Sequence, residues 1–417
     1  MKKVKLKEIL EVKRGTSLSG KYYSDTGDKI RLTLGNFDYP GGGFKENTAK
    51  ADIYFTGEVK PQFILKKGDI ITPLTEQVSG LLGETAIIPE DNKYIQSGDI
   101  GLVIPNPKEL DSRFAYYLIS SSIIKKQLDV SSQQTKIRHT SPEKIMDCIA
   151  WILELKIQRK IAKFLDLINE KIKNNSKINN NLEELMKTIY QRWFIEFEFP
   201  NEEGKPYKSN GGKLVYNDIL KRDIPECWKV KNIMEFIRWE GTSQPPKSCF
   251  AYEPKEGYIR FIQNRDYEDE EHRTYIPKDK ALGTCNKYDI LIDKYGDAGK
   301  TRFGLEGAYN VALAKINVKD VFYREYIRNV LSSKPVYEYL HNSSMASTRS
   351  SLNENNISYI NLVVPDNKII EDFNIYAKNY IEINLKIIEE NQRLKSLKEF
   401  ILPFLMNGQI NVDDIEI

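Results

Sequence analysis

The stretch KVKLKEILEVKRGTS, residues 3–17, occurs again in altered form as KVKNIMEFIRWEGTS, residues 229–243. Further along the chain, KGDII at 67–71 has a counterpart in KYDIL at 287–291. Several ordered matches at a slowly drifting offset indicate a duplication in which the loops have changed length. The sequence therefore predicts two related domains in tandem.

Each copy has the pattern of a mixed α and β domain. Short β-branched or aromatic runs, such as 69–72, 86–88 and 101–104, lie between Gly, Pro and Asn residues. A helical stretch follows, at 112–130 in the first copy and 323–341 in the second. We expect an α+β protein with two tandem α/β domains, arranged with pseudo-two-fold symmetry.

After each copy, mostly apolar residues recur at alternating spacings of four and three. A 3.5-residue period sustained over four heptads predicts two long helices that form an antiparallel coiled coil. Two independent helices, each packed on its own domain, are the alternative. Asn175 and Asn179 fall in this pattern, where a buried Asn can fix the register. The predicted coiled-coil or partner-binding positions are Ile161, Leu165, Ile168, Ile172, Leu182, Met186, Ile189, Trp193, Phe373, Tyr376, Tyr380, Ile383, Ile387, Leu394, Leu397 and Ile401.

A polar stretch rich in Gly and Pro, PNEEGKPYKSNGGKL at 200–214, separates the two halves. These patterns divide the chain into five parts. The predicted bounds are a first domain at 1–152, a central helix at 153–199, a connector at 200–227, a second domain at 228–364 and a C-terminal helix at 365–412.

Composition excludes several classes of protein. The chain has 417 residues, of which 40% are hydrophobic and 29% charged, with a net charge of +3. This is typical of a globular protein and excludes a polycation. The four cysteines form no CxxC pair, which excludes a zinc ribbon and a disulfide scaffold. Neither a signal peptide nor an 18-residue apolar stretch is evident, so we expect a cytoplasmic protein.

Motifs for catalysis are largely missing. Residues 296–301, GDAGKT, match only half of the phosphate-binding GxxxxGK[ST] pattern. The tetrapeptides typical of amino-methyltransferases do not occur. Asp52, Glu58 and Lys60 resemble the carboxylate and lysine set of a nuclease site only weakly. Three scattered histidines are too few for a metal site. We therefore expect no catalytic residues, no metal and no cofactor in this chain.

The connector and the helix ends carry motifs that resemble the specificity subunit of type I restriction-modification systems. The resemblance follows the whole chain in order. Its motifs are QRKIA at 158–162, WFIEF at 193–197, GKPYK at 204–208, GG at 211–212, IP at 224–225 before Trp228, and LKEFILPFLMNGQI at 397–410.

The resemblance implies that the two domains are target-recognition domains, each recognising one half of a split double-stranded DNA sequence. It implies that the helices bind two modification subunits, which carry S-adenosylmethionine and methylate adenine. An ATP-dependent restriction and translocation subunit, with ATP and Mg²⁺, joins the family's complexes for restriction. A coiled-coil scaffold without sequence-specific DNA binding is the alternative function.

Helices of 32–45 residues would span about 48–67 Å at roughly 1.5 Å per residue. That length corresponds to roughly 14–20 base pairs of DNA. We therefore expect a bipartite target whose halves are separated by several unrecognised base pairs.

Hydrogen-bonding residues near the landmarks of each repeat are the candidate DNA contacts. Arg31 and Arg260 fall at matching points in predicted strands and could instead pair with core carboxylates. In the first domain the candidates are Arg14, Thr16, Ser17, Lys21, Arg31, Asn36, Lys136, Arg138 and His139. In the second they are Thr242, Ser243, Gln244, Lys247, Arg260, Gln263, Asn264, Arg265, Lys300, Arg302 and Arg349.

Overall fold

The computed structural model describes residues 1–38, 42–46, 52–76, 80–132, 138–268, 273–345 and 351–410. The chain forms two compact units. The first unit is Met1–Lys173 together with Gln392–Ile417, and the second is Asn174–Asn391. Within the described part of the chain, no helix combines the length and the apolar composition needed to cross a membrane.

Among the described residues, the first half of the chain contains short strands, three short α-helices, one long α-helix and several single-turn 3₁₀ helices. Its strands are β1 (Lys2–Lys5), β2 (Leu10–Arg14), β3 (Tyr23–Ser24), β4 (Ile30–Arg31), β5 (Tyr54–Phe55), β6 (Ile70–Pro73), β7 (Thr75–Glu76), β8 (Ala86–Ile87), β9 (Tyr94–Ile95), β10 (Ile100–Pro105), β11 (Arg138–His139) and β12 (Ile149–Ile152). Its helices are α1 (Ser112–Ile119), α2 (Ser122–Ser132), α3 (Pro142–Asp147) and α4 (Leu155–Tyr190).

The second half repeats this composition after a hairpin. Its strands are β13 (Leu214–Asn217), β14 (Arg222–Pro225), β15 (Lys229–Asn232), β16 (Ile237–Glu240), β17 (Tyr258–Ile262), β18 (Tyr275–Pro277), β19 (Thr284–Cys285), β20 (Ile290–Asp293), β21 (Thr301–Arg302), β22 (Gly307–Tyr309), β23 (Leu313–Val318) and β24 (Asn361–Val364). Its helices are α5 (Arg324–Ser332), α6 (Lys334–Met345), α7 (Glu354–Ile357) and α8 (Asn367–Met406).

Sheet topology confirms the duplication. The four-stranded sheet β2-β10-β6-β8 of the first domain corresponds to β16-β23-β20-β21 of the second. The two-stranded ribbon β1-β12 likewise corresponds to β15-β24. Each domain also contains a parallel strand pair, β4 with β9 in the first and β17 with β22 in the second. The predicted α+β class with two tandem sheet-rich domains is confirmed, while the exact residue bounds of the five predicted parts stay a prediction.

The structure corrects the alignment of the two N-terminal stretches by one residue. In both copies a one-turn helix follows the first strand, at Leu6–Glu8 and at Ile233–Glu235. Three residues before it, Lys3 pairs with Trp151 in the first ribbon and Val230 pairs with Val363 in the second. Equivalent residues here are therefore 227 apart, not 226 as in the ungapped alignment. Identical KVK triplets misled the alignment, because strand pairing aligns Lys3 with Val230 instead of Lys229.

The first unit packs its domain against parts of both long helices. Phe114 and Tyr117 of α1, Ile161 and Leu165 of α4, and Leu405 of α8 are almost fully buried in one apolar cluster. Burial of each such side chain contributes about 1.5–3 kcal/mol. The start of α1 is capped by Asp111, whose carboxylate accepts hydrogen bonds from the backbone N–H groups of Arg113 and Phe114.

Gln158 explains why the QRKIA motif lies at the start of α4. The side chain is fully buried, and its carbonyl accepts a hydrogen bond of 2.8 Å from the backbone N–H of Asp111. Its amide donates to the backbone oxygens of Glu109 and Leu153. The motif therefore has a structural role, which is to join α4 to the start of α1.

A polar chain in the first unit joins α8 to α1. Lys398 donates to the Asn169 side-chain oxygen at 3.0 Å, and Asn169 donates to the Tyr117 hydroxyl at 2.8 Å. That hydroxyl donates in turn to Asp166 at 2.6 Å. Burial lowers the pKa of Lys398. Each polar group in this chain has a partner, as buried polar groups require.

The two long helices run antiparallel to each other within each unit. In the second unit, Asn175 donates to the Glu390 carboxylate at 2.7 Å and to the Asn391 side-chain oxygen at 2.9 Å. At the other end of these paired segments, the Trp193 ring lies 6.2 Å from the Phe373 ring. In the first unit, Asn169 meets Lys398. The prediction of an antiparallel helix pair is confirmed, and the buried Asn175 fixes its register.

The predicted positions on α8 do not all lie on its buried face. Phe373 and Ile387 are buried, and Tyr376, although 51% exposed, packs edge-on against the Trp193 ring at 5.9 Å. Ile383 and Leu397 are 42% and 45% exposed, so they are not buried in the helix pair and stay candidates for partner binding. The buried positions of this helix instead include Ile370, Phe373, Asn374, Ala377, Ile381, Asn384 and Leu385. Several of these positions recur after eleven residues, a period of about 3.67 per turn. A 3.5-residue template therefore drifts off the buried face along α8.

The connector is more ordered than its polar composition indicates. The Phe199 ring stacks on Tyr207 at 4.6 Å and on Trp228 at 4.7 Å. β13 and β14 form an antiparallel hairpin directly before the second domain. Tyr207 and Trp228 belong to the same apolar cluster as Val363 of β24. The connector thus covers part of the second domain.

Candidate nucleic-acid interface

Three predicted contacts of the first domain lie together around the ribbon of β7 and β11. Arg138 pairs with Glu76 and His139 with Thr75 in this ribbon. Arg14, at the end of β2, donates to the backbone oxygens of Gly98 at 3.0 Å and Thr140 at 3.4 Å. The topology therefore brings residues from distant parts of the sequence to one edge of the domain.

Several polar groups at this edge are buried without a hydrogen-bond partner in the described part of the chain. They are the hydroxyls of Thr72, Ser97 and Thr140 and one carboxylate oxygen of Glu76. Glu76 is 5% exposed, and its other oxygen accepts from the backbone N–H of Gly80 at 2.6 Å. Unsatisfied groups in such a concentration are unusual in a protein interior. They mark this edge as a place where water or a ligand would complete the hydrogen bonding.

Thr16 and Ser17 continue the same edge beyond β2. Thr16 forms a bridge with Ser97, and Ser17 is exposed. Gly15 is required here, because an added Cβ would lie 2.2 Å from the backbone oxygen of Ser97. The predicted contacts Arg14, Thr16, Ser17, Arg138 and His139 thus form one group.

A second group in the first domain combines cations with aromatic rings. The Lys21 ammonium lies 4.5 Å from the centre of the Tyr22 ring, and the Arg31 guanidinium lies 5.2 Å from that of Tyr23. Both tyrosines are more than one third exposed. Arg31 therefore packs on an aromatic ring, and the suggested pairing with a core carboxylate is not what the structure shows.

In the second domain, Lys300 and Arg302 follow the turn after β20. Lys300 is part-exposed, 3.2 Å from the Asp297 carboxylate and 3.4 Å from that of Glu268. Arg302 is 9% exposed and bonds the buried Asp293 carboxylate at 3.0 Å. Burial raises the pKa of Asp293 to about 6, in spite of the hydrogen bond from Arg302. Arg302 therefore compensates a buried acid, whereas Lys300 reaches solvent.

The remaining candidates of the second domain differ in exposure. Ser243, Gln244, Lys247 and Arg265 are exposed, and Thr242 is half-buried. Gln263 donates to the Thr274 hydroxyl at 3.0 Å, and Asn264 begins a short helix beside it. Thr242, Ser243, Gln244 and Lys247 lie in the segment after β16, which corresponds to the Thr16 segment of the first domain.

Three predicted contacts are corrected to structural roles. Asn36 is 1% exposed, because its side chain closes a short helix through the Thr33 backbone N–H and also donates to the Lys45 backbone oxygen. Arg302 compensates Asp293, as described above. Arg260 lies 3.9 Å from the buried Asp266 carboxylate, as its strand position indicated.

Two other candidates, Lys136 and Arg349, lie outside the described residues. For the exposed candidates, contact with DNA stays a prediction.

Some residues of these surfaces were not singled out from the sequence. Exposed aromatic rings beside lysines, Tyr22, Tyr23 and Tyr295, could have been found from the Lys-aromatic pairs Lys21-Tyr22 and Lys294-Tyr295. Glu76 gave no such signal, because its burial depends on β11, which lies more than 60 residues away in the sequence.

Comparisons with known proteins agree on one family. A family model described as "Type I restriction modification DNA specificity domain" matches residues 1–184. The MjaIX specificity subunit of a type I restriction enzyme from Methanocaldococcus jannaschii is 25% identical over 339 residues, covering 73% of this chain and 70% of the relative. The HindI specificity subunit from Haemophilus influenzae is 20% identical, covering 83% and 87%.

A solved structure has the same fold over almost the whole chain. It is the S subunit of a type I restriction-modification system from M. genitalium, with a TM-score of 0.55 and 14% sequence identity. The match covers 98% of this chain and 96% of that one. At this identity the likeness concerns the fold.

Proposed function

Because this chain belongs to the specificity subunits of type I restriction-modification systems, we propose that each of its two domains recognises one half of a bipartite double-stranded DNA site. The paired helices bind two modification subunits. The observation that carries this proposal is the duplicated sheet topology, in which each domain is followed by one long helix. Two related domains supply two recognition surfaces in a single chain.

Base recognition is assigned to the group around β7 and β11. Arginine donates to guanine in the major groove, and carboxylates accept from the cytosine amino group. Arg138 and Arg14 offer such donors at this edge, whereas the Glu76 carboxylate, at 5% exposure, is too buried to reach a base. In the second domain, the part-exposed Lys300 and the segment of Ser243 and Gln244 have the matching role.

Binding of the modification subunits is assigned to apolar residues that the helix pair leaves exposed. In the first unit these are Leu167, Leu397 and Phe400, which are 47%, 45% and 68% exposed. In the second unit, Ile178 and Leu185 of α4 are 47% and 54% exposed. Repeated large apolar side chains on the surface of a long helix mark a protein interface.

Specificity subunits are in general not catalytic, and the chemistry is assigned to the partners. The modification subunits would bind S-adenosylmethionine and methylate adenine. A restriction subunit would use ATP and Mg²⁺. This chain would determine where on the DNA those subunits act, and the complex would be cytoplasmic.

The test is a genome-wide map of adenine methylation in the source cell, with and without this gene. Loss of one bipartite motif on deletion, and its return on complementation, is the expected result. A matched control is a chain with an altered first domain, which should change one half-site and leave the other unchanged. An unchanged map in a cell whose modification subunit is expressed and co-purifies with this chain would contradict the proposal.

A further inference from the structure

Three side chains at the edge around β7 and β11 of the first domain are joined by hydrogen bonds. The Thr75 hydroxyl donates to the Asp99 carboxylate at 3.0 Å, and its oxygen lies 3.3 Å from Nδ1 of His139. Thr75 is only 8% exposed, whereas Asp99 and His139 lie at the surface. A buried hydroxyl thus connects two surface side chains, and we call these three residues the Thr75 network.

The Thr75 network determines which nitrogen of the His139 ring carries the hydrogen. A hydroxyl has one hydrogen, and that of Thr75 is used on the Asp99 carboxylate, which can only accept. Toward His139 the Thr75 oxygen can therefore only accept, so Nδ1 must be the donor. In the neutral ring, Nε2 then has no hydrogen and is an acceptor.

The backbone around the Thr75 network is held by two hydrogen bonds of Leu74, the residue before β7. Its N–H donates to the Asp99 backbone oxygen at 2.8 Å. Its oxygen accepts from the N–H of Thr140 at 2.9 Å. These two bonds hold the start of β7 between the residue that precedes β10 and the residue that follows β11.

The second domain has the same backbone hydrogen bonds without the side-chain network. The N–H of Lys294 donates to the Ala312 backbone oxygen at 2.8 Å, and the Lys294 oxygen accepts from the N–H of Leu352 at 2.9 Å. Ala312 therefore corresponds to Asp99, and its methyl group cannot accept a hydrogen bond. Because this backbone arrangement forms there without such a network, the network of the first domain is available for a role in binding.

The acceptor on His139 complements the donors at the same edge. Adenine and cytosine present an amino donor in the major groove, whereas guanine presents acceptors there. We propose that Thr75 and Asp99 are positioning residues, which hold the His139 ring so that Nε2 accepts a hydrogen bond from an adenine or cytosine amino group. This inference rests on the proposed function of the first domain in DNA recognition.

The first test is NMR of the ¹⁵N-histidine-labelled full chain without DNA, at a pH where imidazole is neutral. The variant His139→Gln assigns the His139 signals. We expect a protonated Nδ1 and an unprotonated Nε2 in the wild type. Thr75→Val should shift both signals toward those of free histidine, because the acceptor for Nδ1 is lost, whereas Thr75→Ser should retain the wild-type signals.

His341 is the internal control, since its Nδ1 lies 3.2 Å from the backbone oxygen of Ala298 in the second domain. A carbonyl can only accept, so this Nδ1 is also protonated, and its signal should be the same in all variants. A wild-type His139 ring protonated at Nε2, or equal His139 signals in the wild type and Thr75→Val, would overturn the proposal. Because no DNA is present, this result does not depend on the proposed function.

The second test is the adenine methylation map of cells that carry Thr75→Val or Asp99→Ala, the latter of which copies the second domain. Discrimination at one position of one half-site should fall about tenfold, with the other half-site unchanged. An unchanged motif, or equal weakening at all sequences, would overturn the role in base recognition. A wild-type chain that directs no methylation would instead contradict the proposed function, and the NMR measurement would still decide the role of Thr75 and Asp99.

Discussion

Lys300 and Arg302 are two residues apart, yet their surroundings give them different roles. Arg302 points into the domain and bonds Asp293, whereas Lys300 lies among carboxylates at the surface. Truncation of one partner of a buried ion pair leaves an uncompensated charge. A surface lysine can exchange its carboxylate partner for a DNA phosphate with little loss of stability.

We predict opposite effects for Arg302→Ala and Lys300→Ala. The first should lower the free energy of unfolding by about 3 kcal/mol. The second should leave stability almost unchanged, weaken DNA binding by the assembled complex, and lower the slope of log affinity against log salt by about 1. Urea unfolding and a salt series of DNA-binding measurements distinguish the two. An Arg302→Ala chain of normal stability would contradict the structural role of Arg302.

A second prediction concerns Asp293 and pH. Its pKa rises from 3.8 in the unfolded chain to about 6 in the folded one because of burial. The folded state therefore binds the proton more tightly, so the contribution of this group to stability is present below pH 4 and is lost as pH rises through 6. Relative to Asp293→Asn, the wild-type chain should lose stability between pH 4 and 6. A stability difference that does not vary over this range would contradict the prediction.

At the scale of the elements, sequence period predicted the long helices well but not all of their contacts. Ile161, Leu165 and Phe373 are buried as expected, whereas Ile383 and Leu397 are exposed. A heptad template assumes that the helix supercoils around one partner along its whole length. α8 also packs against residues of the domains, and its positions in those contacts recur with the helix's own period. Local pattern determines that a helix is amphipathic, and only the tertiary partner determines which residues form the seam.

Dependence on tertiary partners also explains why only part of the candidate site could be predicted from the sequence. The repeat landmarks led to Arg14 and His139, which the structure brings to one edge of the first domain, and their contact with DNA stays a prediction. The exposure of Arg302 and Asn36 could not be predicted from the sequence. Arg302 is buried by its bond to Asp293, and Asn36 by the turn that its own side chain closes. Side chains with the same hydrogen-bonding capacity serve the fold at one position and are available to a ligand at another.

Exposure on α8 leads to a third prediction. Phe400 and Phe404 are 68% and 37% exposed, with their rings 5.3 Å apart. Large aromatic side chains at an interface each contribute about 2 kcal/mol or more when they are central to it. Phe400→Ser with Phe404→Ser should therefore weaken binding of a modification subunit by at least about tenfold. Titration of the purified subunit onto the immobilised chain measures this effect.

The matched control for this prediction is Tyr216→Ser. Tyr216 is equally accessible at 60% exposure, but it lies on the β13-β14 hairpin instead of the helix pair. Its replacement should leave binding of the modification subunit unchanged. Equal weakening by both changes would indicate a general loss of folded protein, and no weakening by the helix changes would place the interface elsewhere.

At the scale of the whole molecule, α4 and α8 each contribute residues to both compact units. α4 belongs to the first unit up to Lys173 and to the second from Asn174. α8 belongs to the second unit up to Asn391 and to the first from Gln392. A change in the length of both helices therefore leaves the sheets, and with them the proposed recognition surfaces, intact.

The fourth prediction uses this arrangement to test whether helix length determines the gap between half-sites. Removing residues 174–180 from α4 and 386–392 from α8 deletes seven residues from each helix, or about 10 Å at 1.5 Å per residue. The antiparallel register matches these two segments, since Asn175 meets Glu390 and Asn391. The methylated motif should keep both half-sites and lose about three base pairs from its gap. Deleting the segment from α4 alone is the control, because it mismatches the helix pair and should abolish methylation. A matched deletion that methylates the original motif with an unchanged gap would show that the helices do not determine the spacing.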